Sequence, residues 1–248
     1  MKKASKNIII FLICVVFLYI ATIAYTFITR RYTQASNNDL TQNNKFTVIL
    51  DAGHGGEDGG AVGVTGVLEK DLNLAITFKV GNELKSRGIN VIYTRTKDTM
   101  LYDKNSDYKN KKKSLDLAER LKIANNTQNP IFISIHMNSF SQSKYSGLQV
   151  YYSKNNQLSY QLANCIQSAV QKEIQHSNNR KSVEATSRIY LLDRLLCPAV
   201  LIECGFVSNF EECRLLATEI YQKQLAKIIS EEIANYVEKN SQILLTNQ

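Results

Sequence analysis

The sequence predicts a three-layer α/β domain, with a twisted, mostly parallel (mixed) central sheet between helices. Short apolar runs rich in β-branched residues alternate with segments in which apolar residues recur every three or four positions. The chain has 248 residues, of which 44% are hydrophobic and 21% are charged, and this composition suffices for one well-packed domain. Helices on both faces of a sheet are the stable arrangement for such an alternation.

The strands are recognised as short apolar runs that end at turn residues or at polar groups. Six runs fit this description: "FTVILD" (46–51), "INVIYTR" (89–95), "PIFISIH" (130–136), "GLQVYYS" (147–153), "RIYLL" (188–192) and "AVLIE" (199–203). The third and fourth runs follow each other without a helix between them. We therefore expect a mixed rather than a purely parallel sheet.

The helices are recognised by apolar residues that recur on one face. In the first helix, Leu72, Ile76, Val80 and Leu84 are four positions apart, and the segment ends before Gly88. Further helices are predicted over residues 115–125 and 158–174, and an amphipathic helix over residues 225–237 closes the domain. These elements define a domain over residues 45–240, followed by a tail over residues 241–248.

An uncharged apolar stretch of 21 residues, Ile8 to Ile28, precedes the domain. At about 1.5 Å per residue it is long enough for the roughly 30 Å hydrocarbon core of a membrane. Three lysines precede the stretch, which favours a cytoplasmic N-terminus and an exported domain. A cleaved signal peptide is the alternative, although its best cleavage site, Thr22-Ile23-Ala24, is poor. We expect residues 1–31 to be a membrane anchor or signal sequence and residues 32–44 a polar linker.

The net charge of +8 is concentrated at the N-terminus, because the first 34 residues carry five basic residues and no acidic one. A nucleic-acid-binding domain needs a basic face. The only dense basic run, Lys109 to Lys113, is typical of a solvated loop. The sequence therefore predicts no nucleic-acid partner. The cysteines show no C-x-x-C spacing, so we expect free thiols in the domain.

Polar side chains cluster where predicted strands end. His54 and Asp51 follow the first strand, His136 and Asn138 follow the third, and Glu203 ends the last. Ligands of open α/β sheets bind beyond the carboxyl ends of the strands. The third histidine, His176 in "QHSNN", has the pattern of a surface residue at the end of a helix.

Two histidines need a third ligand to hold a catalytic zinc ion that keeps one position for water. From spacing alone the acidic candidates are Asp51, Glu57, Asp58, Glu69 and Glu203. The helical H-E-x-x-H arrangement is absent. Glu203 follows four apolar residues, where a carboxylate is costly unless it is paired, metal-bound or catalytic. Its structural alternative is to cap a helix that begins near Asn209.

Five segments in order resemble the zinc-dependent N-acetylmuramoyl-L-alanine amidases of the amidase-3 type. They are "ILDAGHGGEDGGAVG", "LEKDLNL", "RLKIAN", "ISIHMNS" and "PAVLIECGFVSN". The resemblance spans roughly Lys45 to Lys239, which is essentially the whole exported domain. It implies a mixed sheet between helices and one Zn²⁺ ion.

The resemblance also implies roles for particular residues. His54, Glu69 and His136 correspond to the zinc ligands, and Glu203 to the catalytic glutamate. Arg120, Asn125 and Asn138 match positions that lie near the site in the family, and they are candidates to contact substrate or support the ligands. Asp51 is a further candidate to orient a ligand histidine, although it also suits a simple strand end.

The implied reaction cuts the amide between the lactyl group of N-acetylmuramic acid and L-alanine in peptidoglycan. The short anchor and the basic insertion "YKNKKKS" resemble the germination-specific members of the family that act on spore cortex. This resemblance implies muramic-δ-lactam formation together with a deacetylase, and an accessory protein partner of unknown identity. The alternatives are a zinc endopeptidase of stem peptides and a catalytically silent peptidoglycan-binding regulator.

Overall fold

The computed structural model describes residues 20–31, 46–103 and 108–246, with side chains up to residue 241. Six strands form one sheet: β1 (Thr47–Ala52), β2 (Asn90–Tyr93), β3 (Pro130–Asn138), β4 (Gln149–Tyr152), β5 (Val183–Glu184) and β6 (Ala199–Phe206). Six helices follow or separate them: α1 (Glu69–Ser86), α2 (Lys112–Asn125), α3 (Gln157–Glu173), α4 (Tyr190–Arg194), α5 (Phe210–Leu216) and α6 (Glu219–Thr246).

The sheet has the strand order β2-β1-β3-β6-β4-β5. The first four strands in this order are parallel, β4 is antiparallel to β6, and β5 is parallel to β4. The predicted mixed sheet is thus confirmed. No helix is needed between β3 and β4, because β4 runs in the opposite direction on the far side of β6.

Helices cover both faces of the sheet, as predicted. Along β1, Val48 and Leu50 face the larger hydrophobic cluster, which includes residues of α1, α3 and α6. Ile49 faces the opposite way, into a smaller cluster with residues of α2 and α4. Because successive strand residues point to opposite faces, one buried strand supports both layers.

The predicted strand over residues 188–192 is wrong, because this segment forms a turn and the short helix α4. A five-residue apolar run is too short for periodicity to separate helix from strand. Here Leu191 and Leu192 are buried in the smaller cluster, and the backbone N–H of Leu195 donates to the carbonyl of Leu191. The place beside β4 is taken by β5, a two-residue strand that the sequence did not predict.

The last strand is longer than predicted, since β6 continues past Glu203 to Phe206. Gly205 lies within this strand. A Cβ atom there would stand 2.7 Å from the side chain of Glu212, so the missing side chain makes room for this carboxylate. Glu212 in turn accepts the backbone N–H of Phe206 at 2.7 Å and helps to fix the strand end.

The predicted membrane segment, residues 8–28, begins outside the described residues, and the predicted linker lies outside them entirely. Residues 20–31 are helical. Across the three described stretches of the chain, no helix combines the length and the apolar character that a membrane crossing requires. The four cysteines of the domain are free thiols, as expected.

Candidate metal centre

The glycine-rich loop after β1 is a fixed turn. His54 adopts a left-handed backbone conformation with φ of 62°, and the backbone groups of Gly55 and Asp58 exchange hydrogen bonds of 2.9 and 3.1 Å. Gly53 lies against the imidazole of His136, where a Cβ atom would stand 2.2 Å from the ring. The glycine therefore allows the loop after β1 and the end of β3 to approach each other closely.

Two imidazoles converge on one carboxylate oxygen at this point. Glu69 Oε1 lies 3.2 Å from His54 Nε2 and 3.0 Å from His136 Nδ1. Glu69 is the first residue of α1, and its carboxylate is held in place by the backbone N–H groups of Ala61 (to Oε2, 2.8 Å) and Met137 (to Oε1, 3.1 Å). Three distant parts of the chain thus bring their polar atoms to one place.

This donor set fits a zinc ion. The three residues each offer one ligand atom, and these atoms lie within 4.8 Å of one another. Tetrahedral ligands that are 2.0–2.2 Å from zinc are about 3.3–3.5 Å apart, close to the separations between Glu69 and the two histidines. Two imidazole nitrogens with one carboxylate are also a common ligand set of catalytic zinc sites.

Mutual contacts shift the protonation of these groups. Burial favours a raised pKa of Glu69, but the two histidines outweigh it and hold this pKa far below its usual range. Burial acts to lower the pKa of His54, but the carboxylates of Glu69 and Asp58 outweigh this effect, so the pKa of His54 is raised above its usual value. The carboxylate is therefore ionised at neutral pH, as a metal ligand must be.

Glu203 lies beside this cluster on the neighbouring strand. It is opposite His136 in the register of β3 and β6. Its Oε2 is shielded from solvent and has no hydrogen-bond partner among the described residues. Burial, assisted by the charge of Glu69, raises the pKa of Glu203 to about 7, although both histidines act to lower it. A carboxyl with a pKa near the working pH is suited to both accepting and donating a proton.

The structural alternative for Glu203 is not realised. The helix that follows, α5, is capped by Asn209, whose side chain accepts the backbone N–H of Glu212 at 3.0 Å. Glu203 therefore does not cap this helix. Glu203 lines the cavity that also contains both histidines.

A buried ion network lies beneath the loop. Asp51 accepts hydrogen bonds from Thr94 (2.7 Å), Ser134 (2.6 Å) and Arg120. These contacts, with Arg120 as the main charge, lower the pKa of Asp51 despite its burial. The side-chain hydrogen bonds of Asp51 therefore go to these three groups, and none of them goes to His54 or His136.

Arg120 uses all its N–H groups inside the protein. It donates to the carboxylates of Asp51 and Asp116 and to the backbone carbonyls of Ala52 and His54, both at 2.8 Å. With a residue exposure of only 1%, it is not accessible to a substrate. The guanidinium fixes the backbone on either side of Gly53 instead.

The other two sequence candidates lie further away. Asn125 is exposed at the last turn of α2, and Asn138 ends β3, where its carbonyl accepts the backbone N–H of Val207 at 2.9 Å. Neither residue lines the cavity beside the histidines.

The structure gives a place to Asp58, which the sequence left as one of five acidic candidates. Asp58 Oδ2 lies 2.9 Å from His54 Nδ1, the ring nitrogen that faces away from Glu69. The available signal in the sequence was the four-residue spacing of His54 and Asp58. This spacing predicts a contact only when the turn between Gly55 and Asp58 is known.

A cavity of about 240 Å³ opens above these groups. Its floor holds both histidines and Glu203, and its walls come from α2 and from residues 188–192. The cavity thus gives a substrate access to the cluster. Two histidines and Glu203 in such a cavity, with Glu69 in contact with both histidines, have the composition needed for metal-assisted hydrolysis.

Comparison with known proteins agrees with this chemistry. Residues 48–235 match the family model of N-acetylmuramoyl-L-alanine amidases. The germination-specific N-acetylmuramoyl-L-alanine amidase of Bacillus subtilis is 36% identical over 209 residues, which cover 82% of this chain and 86% of the relative.

Solved structures show the same fold. The CwlD amidase of Clostridioides difficile, solved in complex with the GerS lipoprotein, is 42% identical with a TM-score of 0.72, and the match covers 78% of this chain and 98% of that one. The amidase AmiC2 of Nostoc punctiforme is 31% identical with a TM-score of 0.67, over 79% and 98% of the two chains.

Proposed function

Since this chain belongs to the N-acetylmuramoyl-L-alanine amidase family and is therefore an amide hydrolase of peptidoglycan, we propose that it is a zinc enzyme. His54, Glu69 and His136 hold one Zn²⁺, and Glu203 is the catalytic acid–base. The observation that carries this proposal is the convergence of the two imidazoles on Glu69 Oε1, beside an unpaired and buried Glu203 oxygen.

The bond that is cut joins the lactyl carbonyl of N-acetylmuramic acid to the amine of L-alanine. When bound, zinc supplies a Lewis acid for this carbonyl and for the attacking water. Glu203 takes a proton from the water and then gives it to the departing amine, so one carboxyl serves first as base and then as acid. Its raised pKa of about 7 suits both tasks at neutral pH.

The surrounding residues hold the ligands in position. Asp58 Oδ2 lies 2.9 Å from His54 Nδ1, and a carboxylate beside this ring nitrogen is a common support for ligand histidines. Arg120 fixes the backbone of His54 through its carbonyl. Asn125 and Asn138 stay candidates for contacts with parts of the glycan-peptide outside the cavity.

We further propose that the chain acts on spore cortex. Removal of the peptide from a muramic acid exposes the lactyl carboxyl, and a deacetylase then frees the amine that closes the muramic-δ-lactam. The support is the similarity to the germination-specific amidase of Bacillus subtilis. The complex of the C. difficile relative with a lipoprotein supports an accessory protein partner for this chain too.

This function places the domain outside the cytoplasm, facing the cell wall or the forespore intermembrane space. The apolar stretch at residues 8–28 would hold the domain at the membrane as an uncleaved anchor, or direct its export as a cleaved signal.

The product mass tests the proposed reaction. The zinc-loaded protein is incubated with peptidoglycan, and the fragments are analysed by mass spectrometry with and without a chelator. We expect a free lactyl carboxyl on muramic acid and a peptide that begins with L-alanine. Cleavage inside the stem peptide would identify an endopeptidase, and intact material would identify a silent binding protein.

A further inference from the structure

One wall of the cavity is the turn that precedes α4. Its backbone is anchored at both ends, because the N–H of Ala185 donates to the carbonyl of Tyr152 in β4 and because Leu191 and Leu192 are buried in the core. A hydrogen bond from the N–H of Ile189 to the carbonyl of Thr186 closes the turn between these anchors. Arg188 therefore lines the cavity from a backbone that is fixed on both sides.

Most other charged groups around the cavity have an ion-pair partner among the described residues; the exception is Glu203, whose Oε2 has no hydrogen-bond partner there. Asp51 and Asp116 both pair with Arg120, and Asp58 lies between His54 Nδ1 (2.9 Å) and Lys113 Nζ (3.4 Å).

Arg188 differs from these groups. It is exposed, it lines the same cavity as Glu203 and the histidines, and within residues 46–103 and 108–241 it forms no ion pair or hydrogen bond. Among the described residues that line the cavity, Arg188 is thus the arginine or lysine left without a partner.

We propose that Arg188 is a substrate-specificity residue that binds the free carboxylate on the second residue of the stem peptide. This inference rests on the proposed function, which brings a muramoyl peptide into the cavity. The glycan offers no charge in this region, since its lactyl carboxyl is consumed in the scissile amide, whereas the peptide carries free carboxyl groups. A guanidinium forms paired, charge-assisted hydrogen bonds with a carboxylate, which a neutral amide cannot match.

The test uses two synthetic muramoyl peptides that differ only in the carboxyl group of the second residue, which is free in one and amidated in the other. We expect the wild-type protein to have a kcat/KM about ten-fold higher for the free carboxylate, the size of one charge-assisted hydrogen bond. Arg188→Gln should lose this preference through a raised KM with little change in kcat. Arg188→Lys should keep part of it, because it retains the charge but not the fork geometry.

Arg194→Gln is the matched control. Arg194 is an exposed arginine of the adjoining helix α4 that pairs with Asp193 and does not line the cavity. This variant should keep the full preference. The proposal is overturned if the wild type treats both peptides alike, or if Arg188→Gln retains the discrimination.

A binding measurement separates this proposal from the proposed reaction. The zinc-loaded Glu203→Gln protein, with and without Arg188→Gln, is titrated with both peptides by calorimetry. Tighter binding of the free carboxylate that disappears with Arg188→Gln supports the proposal even if no hydrolysis occurs. Equal affinities for both peptides overturn it, even if the wild type releases the lactyl carboxyl.

Discussion

Glu203 and His136 are neighbours across β3 and β6, yet the proposed function gives them separable roles. We expect Glu203→Gln to keep about one zinc per chain while the rate falls by about 10²–10⁴-fold, because only the proton carrier is lost. His136→Ala should lose zinc as well as activity, since two ligands hold the ion poorly. Elemental analysis and amine release from peptidoglycan measure the two quantities. A fully active Glu203→Gln protein would contradict the role of Glu203 as the catalytic acid–base.

A second residue-scale prediction concerns Asp58, which lies 2.9 Å from His54 Nδ1. Asp58→Asn should weaken zinc binding by about 10–100-fold, because the imidazole loses the carboxylate that orients it. Chelator competition measures this affinity. The neighbouring Glu57 is the control, since its side chain is 67% exposed and its one ion pair among the described residues is with Lys112. Equal losses in Asp58→Asn and Glu57→Gln would mean that loop charge, not ligand orientation, matters.

At this scale the sequence predicted part of the site for physical reasons. His54, His136 and Glu203 follow apolar strands, and such positions meet at one edge of a parallel sheet. The spacing of residues in the sequence could not identify the proposed third zinc ligand, because five carboxylates were candidates. The structure distinguishes them by their contacts: Asp51 is bound to Arg120 and Glu57 to Lys112. Glu69 contacts both histidines, whereas Asp58 contacts one of them, His54. These contacts are long-range, so only the fold or a family resemblance provides them.

At the scale of elements, Arg120 joins α2 to the end of β1. Arg120→Met should reduce the free energy of unfolding by about 3–5 kcal/mol, because it leaves the buried carboxylates of Asp51 and Asp116 without their cation. Urea unfolding followed by circular dichroism measures this loss. Lys122→Met is the control in the same helix: its exposed pair with Glu119 is worth less than about 1 kcal/mol. If Arg120→Met reduced the free energy of unfolding by less than about 1 kcal/mol, Arg120 would not be an important link between α2 and β1.

The elements themselves were predictable where their pattern was long. The face of α1 extends over several turns, and its predicted end before Gly88 agrees with the observed end at Ser86. Residues 188–192 are too few to reveal a period, and their helical state depends on burial of Leu191 and Leu192 against the sheet. The wall that carries Arg188 was therefore beyond local sequence reasoning.

At the scale of the whole molecule, the length of one connection along the chain explains why the sheet is mixed. The short β3–β4 connection excludes a parallel crossover, which needs a dozen or more residues and usually a helix. The strand order was not predictable, because β4 pairs with β6, about fifty positions later, rather than with β3. Such pairings depend on the packing of both hydrophobic clusters, which no local pattern encodes.

The proposed ligands come from the loop after β1, the start of α1 and the end of β3, so bound zinc joins three elements of the fold. An ion that binds only the folded state stabilises it by about 2.7 kcal/mol at a hundred times its Kd. For a domain of this size that corresponds to a rise in Tm of roughly 5–10 °C. Calorimetry of the metal-free protein with and without added zinc measures this shift. Magnesium should produce no comparable rise, because it prefers an octahedral shell of oxygen ligands. The zinc-dependent rise should also vanish in His136→Ala, and its survival there would show that zinc stabilises the protein from another site.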